Sequence, residues 1–351
     1  MSLLDKIKKN STIKDTAILA KSKLFTEKDM IPTMIPAINV ALSGKLDGGF
    51  TPGITMWAGP SKHFKTAFSL LMMKAYQDKY PDSVILFYDT EFGTPQNYFD
   101  SFGIDVDRVV HTPITDLEEL KFDIMKQLRE IERGDRVMIV IDSIGNVASK
   151  KEVDDALEQK SAADMTRAKH IKSLFRMVPP HLVLKDIPMV VVNHTYKTME
   201  MYAKDVVGGG TGSVYASDNI FILGRQQEKD GTELVGYNFI INVETSRYLK
   251  EKSKIPITVT FDGGISKYSG LLEMALESGH VVKPNAGWYS KVNTDTGEVE
   301  SKRYRLADID NKDFWNPILK NEKFKEWVAA NYRQNSGSIF KNDDDEGKED
   351  E

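Results

Sequence analysis

Trp57-Ala58-Gly59-Pro60-Ser61-Lys62-His63-Phe64-Lys65-Thr66 joins an apolar run, residues 53–58, to an amphipathic stretch that opens at Lys65. A short turn ending in a lysine and a hydroxyl at a helix start is how proteins wrap nucleotide phosphates. Backbone N–H groups of the turn point at the β- and γ-phosphates, and the positive end of the helix favours the anion. On this reading Gly59, Pro60, Ser61, Lys62, His63 and Phe64 form the cradle, Lys65 neutralises the phosphates, and Thr66 ligates Mg²⁺. The pattern G-x-x-x-x-G-K-[ST] asks for a second glycine where this chain has Phe64, so that residue is either in ordinary backbone space or strained. An incidental Lys-Thr helix start is the competing reading.

The texture on either side of the turn predicts an α/β fold. Residues 84–88, 137–141 and 188–193 are apolar runs without a polar face. Between them lie helical patterns: 65–79 with Phe68, Leu71, Met72 and Ala75 on one face, 116–133 striped by Leu117, Leu120, Ile124, Leu128 and Ile131, and a third from about Ala162 to Met177. Such alternation belongs to a mostly parallel sheet flanked by helices. After Asn219, residues 221–223, 239–241 and 257–259 predict antiparallel additions to that sheet. From Leu271 a small α/β region follows, with a hairpin around 293–297 and a helix over 321–331. Residues 1–30, lysine-rich with apolar spacing, predict a helix outside the main core, and no internal repeat is evident.

Composition narrows the class. With 351 residues, 40% hydrophobic and 28% charged, a soluble globular chain with a large core and a smaller appendage is expected. No apolar run is long enough to span a bilayer, and residues 1–6 lack a signal-like apolar segment, so a cytoplasmic protein without a membrane partner is expected. The absence of cysteine excludes disulfides and thiolate metal sites. The net charge of −5 is concentrated at the end, where Asp343, Asp344, Asp345, Glu346, Glu349, Asp350 and Glu351 face only Lys348. The remainder is close to neutral, and the tail reads as a solvated, disordered extension.

Polar groups stand where the apolar runs stop. Residues 137–141 are followed by Asp142-Ser143, which puts a carboxylate at the edge of the sheet where ligands of open α/β folds bind and where Mg²⁺ needs a partner; capping of the next turn is the alternative. Asp89-Thr90-Glu91 supplies a glutamate able to deprotonate an attacking water, or else a solvated loop acid. Asn193-His194 ends a third run, and His194 either senses the γ-phosphate or is a satisfied loop histidine.

Jointly, the phosphate loop, Asp89-Thr90-Glu91, residues 137–143 and Asn193-His194 resemble the RecA-type strand-exchange recombinases, in their phage branch. Ala148-Ser149-Lys150-Lys151-Glu152, Met165-Thr166-Arg167-Ala168-Lys169 and Val207-Gly208-Gly209-Gly210-Thr211-Gly212 carry the likeness further, to about residue 290, and the aromatic at Phe64 is part of it. The resemblance implies a RecA-like P-loop ATPase core over 31–270, an N-terminal polymerisation helix in 1–30, a small C-terminal α/β region over 271–335 and an acidic tail over 336–351. It implies that Glu91 activates water with Lys65 and His194 as catalytic companions, that Asp142 and Thr66 hold Mg²⁺, and that Tyr98, seven residues after Glu91, stacks on adenine. Packing of Tyr98 on the core is the other reading of that aromatic. Lys250 and Lys252 match basic residues that complete the ATP site of a neighbouring subunit. Bacterial members carry glutamine where His194 stands, so the sensing group here is one that can titrate.

Two segments match the family's DNA loops. The first covers 145–163 and continues into a helix with Arg167, Lys169 and Arg176; Lys169 and Arg176 lie seven apart, on one face. The second covers 195–212, with Lys197 and the run Gly208-Gly209-Gly210, whose backbone can approach phosphates closely. A charged helix surface and a mobile glycine loop are the plainer readings. The resemblance thus implies a protein that uses ATP and Mg²⁺, forms helical filaments on single-stranded DNA and exchanges strands with a double-stranded partner. A recombination mediator and a single-strand-binding protein are its implied protein partners. A hexameric RecA-like helicase motor and a DNA-coating module without turnover remain the alternatives.

Overall fold

The computed structural model describes residues 2–13, 15–22, 28–158, 165–199 and 203–334. The expected helix start at Ala162 and the acidic tail over 336–351 lie outside the described residues. The chain opens with α1 (Leu3–Asn10), capped reciprocally by Ser2 and Asp5, and among the described residues none of α1 is buried. Among the described residues of 1–30, the expected helix is this one short helix and a single 3-10 turn at Leu19–Lys21. Without a surface to bury its apolar spacing, a longer helix has little to sustain it.

α2 (Pro36–Ser43), buried along most of its length, precedes β1 (Gly53–Ala58), α3 (Lys65–Lys79), β2 (Val84–Asp89), α4 (Gln96–Ser101), β3 (Val109–Pro113), α5 (Leu117–Glu130) and β4 (Val137–Asp142). Then follow α6 (Lys150–Leu157), α7 (Thr166–Lys185), β5 (Pro188–Asn193), β6 (Thr195–Lys197), β7 (Asp205–Val207), α8 (Thr211–Ala216), β8 (Asn219–Asp230), β9 (Glu233–Ser246), β10 (Lys254–Thr260) and β11 (Gly264–Ile265). Among the described residues the main sheet has nine strands in the order β11-β10-β9-β8-β1-β5-β4-β2-β3. From β8 to β3 the neighbours run parallel; from β8 to β11 they run antiparallel. Residues 221–223 were expected among the antiparallel additions, but they lie in β8, which is parallel to β1. The long connection from β5 through α8 provides the crossover that a parallel neighbour requires.

The apolar runs lack a polar face because both faces are covered. In β1 every residue is buried: Ile54, Met56 and Ala58 join Leu120, Ile124 and Leu174 on one side, and Trp57 joins Phe68 and Met72 on the other. α7 does not stop at Met177 as expected but continues through Pro179 and Pro180 to Lys185. Its buried stripe of Ile171, Leu174, Phe175, Val178 and Leu182 continues past the prolines, so packing outweighs the lost N–H groups.

α9 (Leu271–Glu277), β12 (Val281–Asn285), β13 (Trp288–Lys291), α10 (Lys312–Leu319) and α11 (Glu322–Tyr332) complete the chain. α11 matches its expected span closely, with Asn321 capping the Phe324 N–H. The expected hairpin around 293–297 forms in irregular shape: a Gly297 N–H bond to Asn293 O (2.8 Å) closes the turn, and the antiparallel bridges Val292 to Val299 and Tyr289 to Tyr304 flank it. Phe314, Trp315 and Phe324 join the same core as α2 and α3. The last residues return to the turn between β9 and β10: Gln334 donates its side-chain amide to Leu249 O (2.8 Å), and the Lys250 N–H bonds Tyr332 O (2.9 Å). No helix among the described residues is long and apolar enough to cross a membrane.

Trp57 is fully buried, with ring centroids 4.8 Å from Phe68 and 4.6 Å from Phe221. Trp57→Ala is expected to lower unfolding free energy by about 3–5 kcal/mol, read as a lower urea midpoint at unchanged slope.

Candidate functional site

The carboxyl ends of β1, β2, β4 and β5 lie side by side in the sheet, so the loops that follow them meet at one edge. After β1 the chain makes the phosphate loop and enters α3 at Lys65. Phe64 takes φ 63° and ψ 17°, the left-handed conformation that glycine adopts freely, and Lys62 has φ 61°. This backbone is the strained of the two expected alternatives. Aromatic packing holds it: the Phe64 ring stacks on Phe239 of β9 at 4.8 Å and meets Phe68 edge-on at 5.8 Å. Arg225 of β8 adds a bond to Lys62 O at 3.1 Å, with its guanidinium over the Tyr237 ring. Neither Phe239 nor Arg225 is identifiable from the sequence; an aromatic where glycine is usual is the only signal that a ring partner is needed.

Lys65 is buried, its pKa lowered by desolvation, and its ammonium donates to Pro60 O (2.8 Å) at the start of the loop. His63 is held by Ser61 O through Nδ1 (2.9 Å). Gly59 accepts close approach: a Cβ there would stand 3.2 Å from Leu223 O. Thr66 Oγ1 donates to Asp142 Oδ2 at 2.7 Å, tying α3 to the end of β4. Asp142 is 3% exposed, and its Oδ1 is buried without a hydrogen-bond partner. Burial pushes its carboxyl up to about 6, with Glu91 and Asp89 adding to the effect.

An orphaned carboxylate oxygen beside a hydroxyl fits a magnesium ion. Mg²⁺ takes few protein ligands and completes its shell with water and phosphate oxygens.

Glu91 faces the same cavity of about 290 Å³, which Lys62, Lys65, Thr66, Tyr98, Asp142 and His194 also line. Its Oε1 collects three donors: Ser143 Oγ at 2.7 Å, His194 Nε2 at 2.9 Å and Asn146 Nδ2 at 3.1 Å. The His194 bond, followed by that from Ser143, holds the Glu91 carboxyl down at about 2. Asn146 and Ser143 were not read from the sequence as partners of Glu91; their place in the turn after β4 shows only in three dimensions. Tyr98, on α4, borders the cavity and packs edge-on against Phe102 (5.3 Å). Lys250 and Lys252 sit in the turn between β9 and β10 and do not line the cavity of their own subunit; the Lys250 ammonium donates to Ala330 O (2.7 Å).

The residues expected to contact DNA divide into two sets. Lys169 and Arg176 are exposed on α7, available to a polyanion. Lys197 is paired with Asp205 across β6 and β7 at 2.9 Å, an exposed ion pair of small worth that a phosphate can displace. Gly208, Gly209 and Gly210 follow β7, and the Gly208 N–H donates to His194 O (2.9 Å), so the glycine run is anchored to the strand end carrying His194. Arg167 differs: its guanidinium donates to Val147 O (2.8 Å), Gly145 O (2.8 Å) and Ile144 O (3.1 Å). Half-buried, Arg167 thus commits its Nε and Nη2 groups to the turn after β4, a placement its expected role in DNA contact did not suggest.

A phosphate loop, a carboxylate beside a hydroxyl and a glutamate held by three donors, set on this strand order, define a P-loop ATPase. The family described as the RecA N-terminal domain matches residues 2–266, and that of the bacteriophage T4 recombination and repair protein C-terminal domain matches 268–328. The chain belongs to the RecA family. It is 50% identical to the recombination and repair protein of Enterobacteria phage T4, over 99% of this chain and 90% of that one. It is 25% identical to the protein RecA of Streptomyces avermitilis, over 87% and 78%. A RadB recombinase crystal structure aligns with 67% of this chain and 98% of that one at 18% identity and a TM-score of 0.49.

Two expectations follow. Phe64→Gly removes the strain with the ring, whereas Phe64→Ala loses the ring and keeps the strain, so a non-hydrolysable ATP analogue binds Phe64→Gly more tightly by about fivefold or more in calorimetry. Because His194 is the main cause of the depressed Glu91 pKa, His194→Ala lets that pKa return toward its ordinary 4.5. The acid limb of kcat/KM against pH then moves upward, and activity is lost at a pH where the parent is still ionised.

Proposed function

We infer that this protein is a DNA-dependent ATPase that assembles on single-stranded DNA, pairs it with a homologous duplex and exchanges strands. The observation that carries the reading is the meeting, at one sheet edge, of the phosphate loop, the Thr66–Asp142 pair and Glu91 with both DNA segments attached to the same edge. Glu91 is the group that takes the proton of the attacking water, and Lys65 stabilises charge on the phosphates. Thr66 and Asp142 would hold Mg²⁺, which would supply neutralisation of the phosphate charge. His194 is placed to exchange Glu91 for the γ-phosphate, which frees the base only when triphosphate is present.

Sequence discrimination comes from base pairing, while the exposed lysines and arginines of α7 and the glycine run hold backbone. Leu3, Leu4 and Ile7 on α1 are exposed and form the apolar ridge that docks on the next subunit. A head-to-tail contact of this kind builds an open helix. In that helix Lys250 and Lys252 reach the neighbour's nucleotide, and Tyr98 stacks on its own subunit's adenine. A recombination mediator and a single-strand-binding protein are partners consistent with this role.

ATP turnover with and without single-stranded DNA, combined with electron microscopy of the same mixtures, tests the reading. Stimulated turnover with helical filaments is expected. Rings with directional unwinding point to a helicase, and coating without turnover to a structural module. Glu91→Gln is expected to bind ATP and form filaments while kcat falls by about 10²-fold or more, as removal of a general base requires; undiminished turnover removes Glu91 from the mechanism.

A further inference from the structure

Arg167 stands two residues into α7, the helix that exposes Lys169 and Arg176, yet its own guanidinium points away from that face. It grips the carbonyls of Ile144, Gly145 and Val147. Those residues form the turn after β4, and the same turn carries Ser143 and Asn146, whose side chains hold Glu91 Oε1 at 2.7 and 3.1 Å. The turn also lies directly under His194: a Cβ on Gly145 would come within 2.5 Å of His194 Cδ2. A shift of the turn therefore moves the donors of Glu91 and the ring of His194 together. The planar fork of an arginine spreads its donors over carbonyls set along the turn, whereas a lysine would aim its three donors from a single point.

We propose that Arg167 is a positioning residue that transmits the engagement of a polynucleotide along α7 to the presentation of Glu91, through its grip on the turn at 144–147. The inference rests on the recombinase reading and adds a route to it. Phosphates bound at Lys169 and Arg176 displace α7, Arg167 carries the displacement to the turn, and Ser143 and Asn146 re-aim the carboxylate. Arg167 itself makes no phosphate contact in this scheme: its Nε and Nη2 groups are committed to the turn.

Arg167→Gln and Arg167→Lys in the full chain, each alone and combined with Asn146→Ala, separate the possibilities. Three quantities are measured: ATP turnover with and without single-stranded DNA, KM for ATP, and the salt dependence of DNA affinity in a non-hydrolysable ATP analogue. In Arg167→Gln the ratio of stimulated to unstimulated turnover is expected to fall about tenfold or more, as misplacement of a reacting group does. KM for ATP stays within about twofold, Arg167→Lys recovers part of the loss, and the salt slope is unchanged. In the Asn146→Ala background the Arg167→Gln effect shrinks, because both act through one turn.

A salt slope shallower by about 0.7 with the stimulation ratio intact identifies Arg167 as a phosphate contact and overturns the proposal. So does an Arg167→Gln cost that is the same with and without Asn146. If Arg167→Gln does not fold, Arg167→Lys and Asn146→Ala complete the same cycle. A parent protein that single strands leave unstimulated overturns the recombinase reading and this one with it; a stimulated parent beside an unaltered Arg167→Gln overturns only the role of Arg167.

Discussion

The bond from Thr66 to Asp142 is the constraint around which the site is organised. It fastens the first turn of α3 to the end of β4, and it does so with a carboxylate that is nearly sealed from water. A buried acid with one satisfied oxygen is costly unless protonated or given a cation. The fold therefore carries a demand for positive charge at the point where a triphosphate arrives with its own ion. The two-sided burial of β1, β4 and β5 makes this arrangement rigid enough to hold that demand in place.

Glu91 presents the complementary problem. Three donors on one oxygen make it a weak base, which suits a site that must wait. A histidine in this position holds the carboxylate by charge as well as by hydrogen bond, which an amide cannot. The same groups that quiet Glu91 belong to the turn after β4 and the end of β5, and these are the places where the two segments proposed to contact DNA attach. Restraint and release of the base are thus properties of one small cluster of backbone.

Much of the fold was legible because burial on both faces leaves a plain mark: residues 84–88, 137–141 and 188–193 contain almost nothing polar, and each became a central parallel strand. That residues of the phosphate loop, Asp142, Glu91 and His194 share one cavity was legible because each follows or ends a strand of the parallel sheet. What escaped depends on contacts distant in sequence. Nothing near Phe64 announces that Phe239 will stack on it, and nothing near Arg167 shows that its carbonyl partners lie behind it, since the segment reads like any basic helix start. The direction of β8 depended on how its crossover packs, and the length of α7 on a buried stripe strong enough to carry two prolines. In residues 1–30 apolar spacing suggested more helix than an unpartnered segment sustains.

The return of the chain's last described residues to the β9–β10 turn gives the C-terminal unit a mechanical meaning. Gln334 and the backbone of Tyr332 splint the turn that carries Lys250 and Lys252, and Lys250 leans on the end of α11. A protein shortened at residue 270 would keep every strand of the main sheet and lose that splint. The smaller unit is thus less an appendage than a bracket, and a pull on it would arrive at the two lysines.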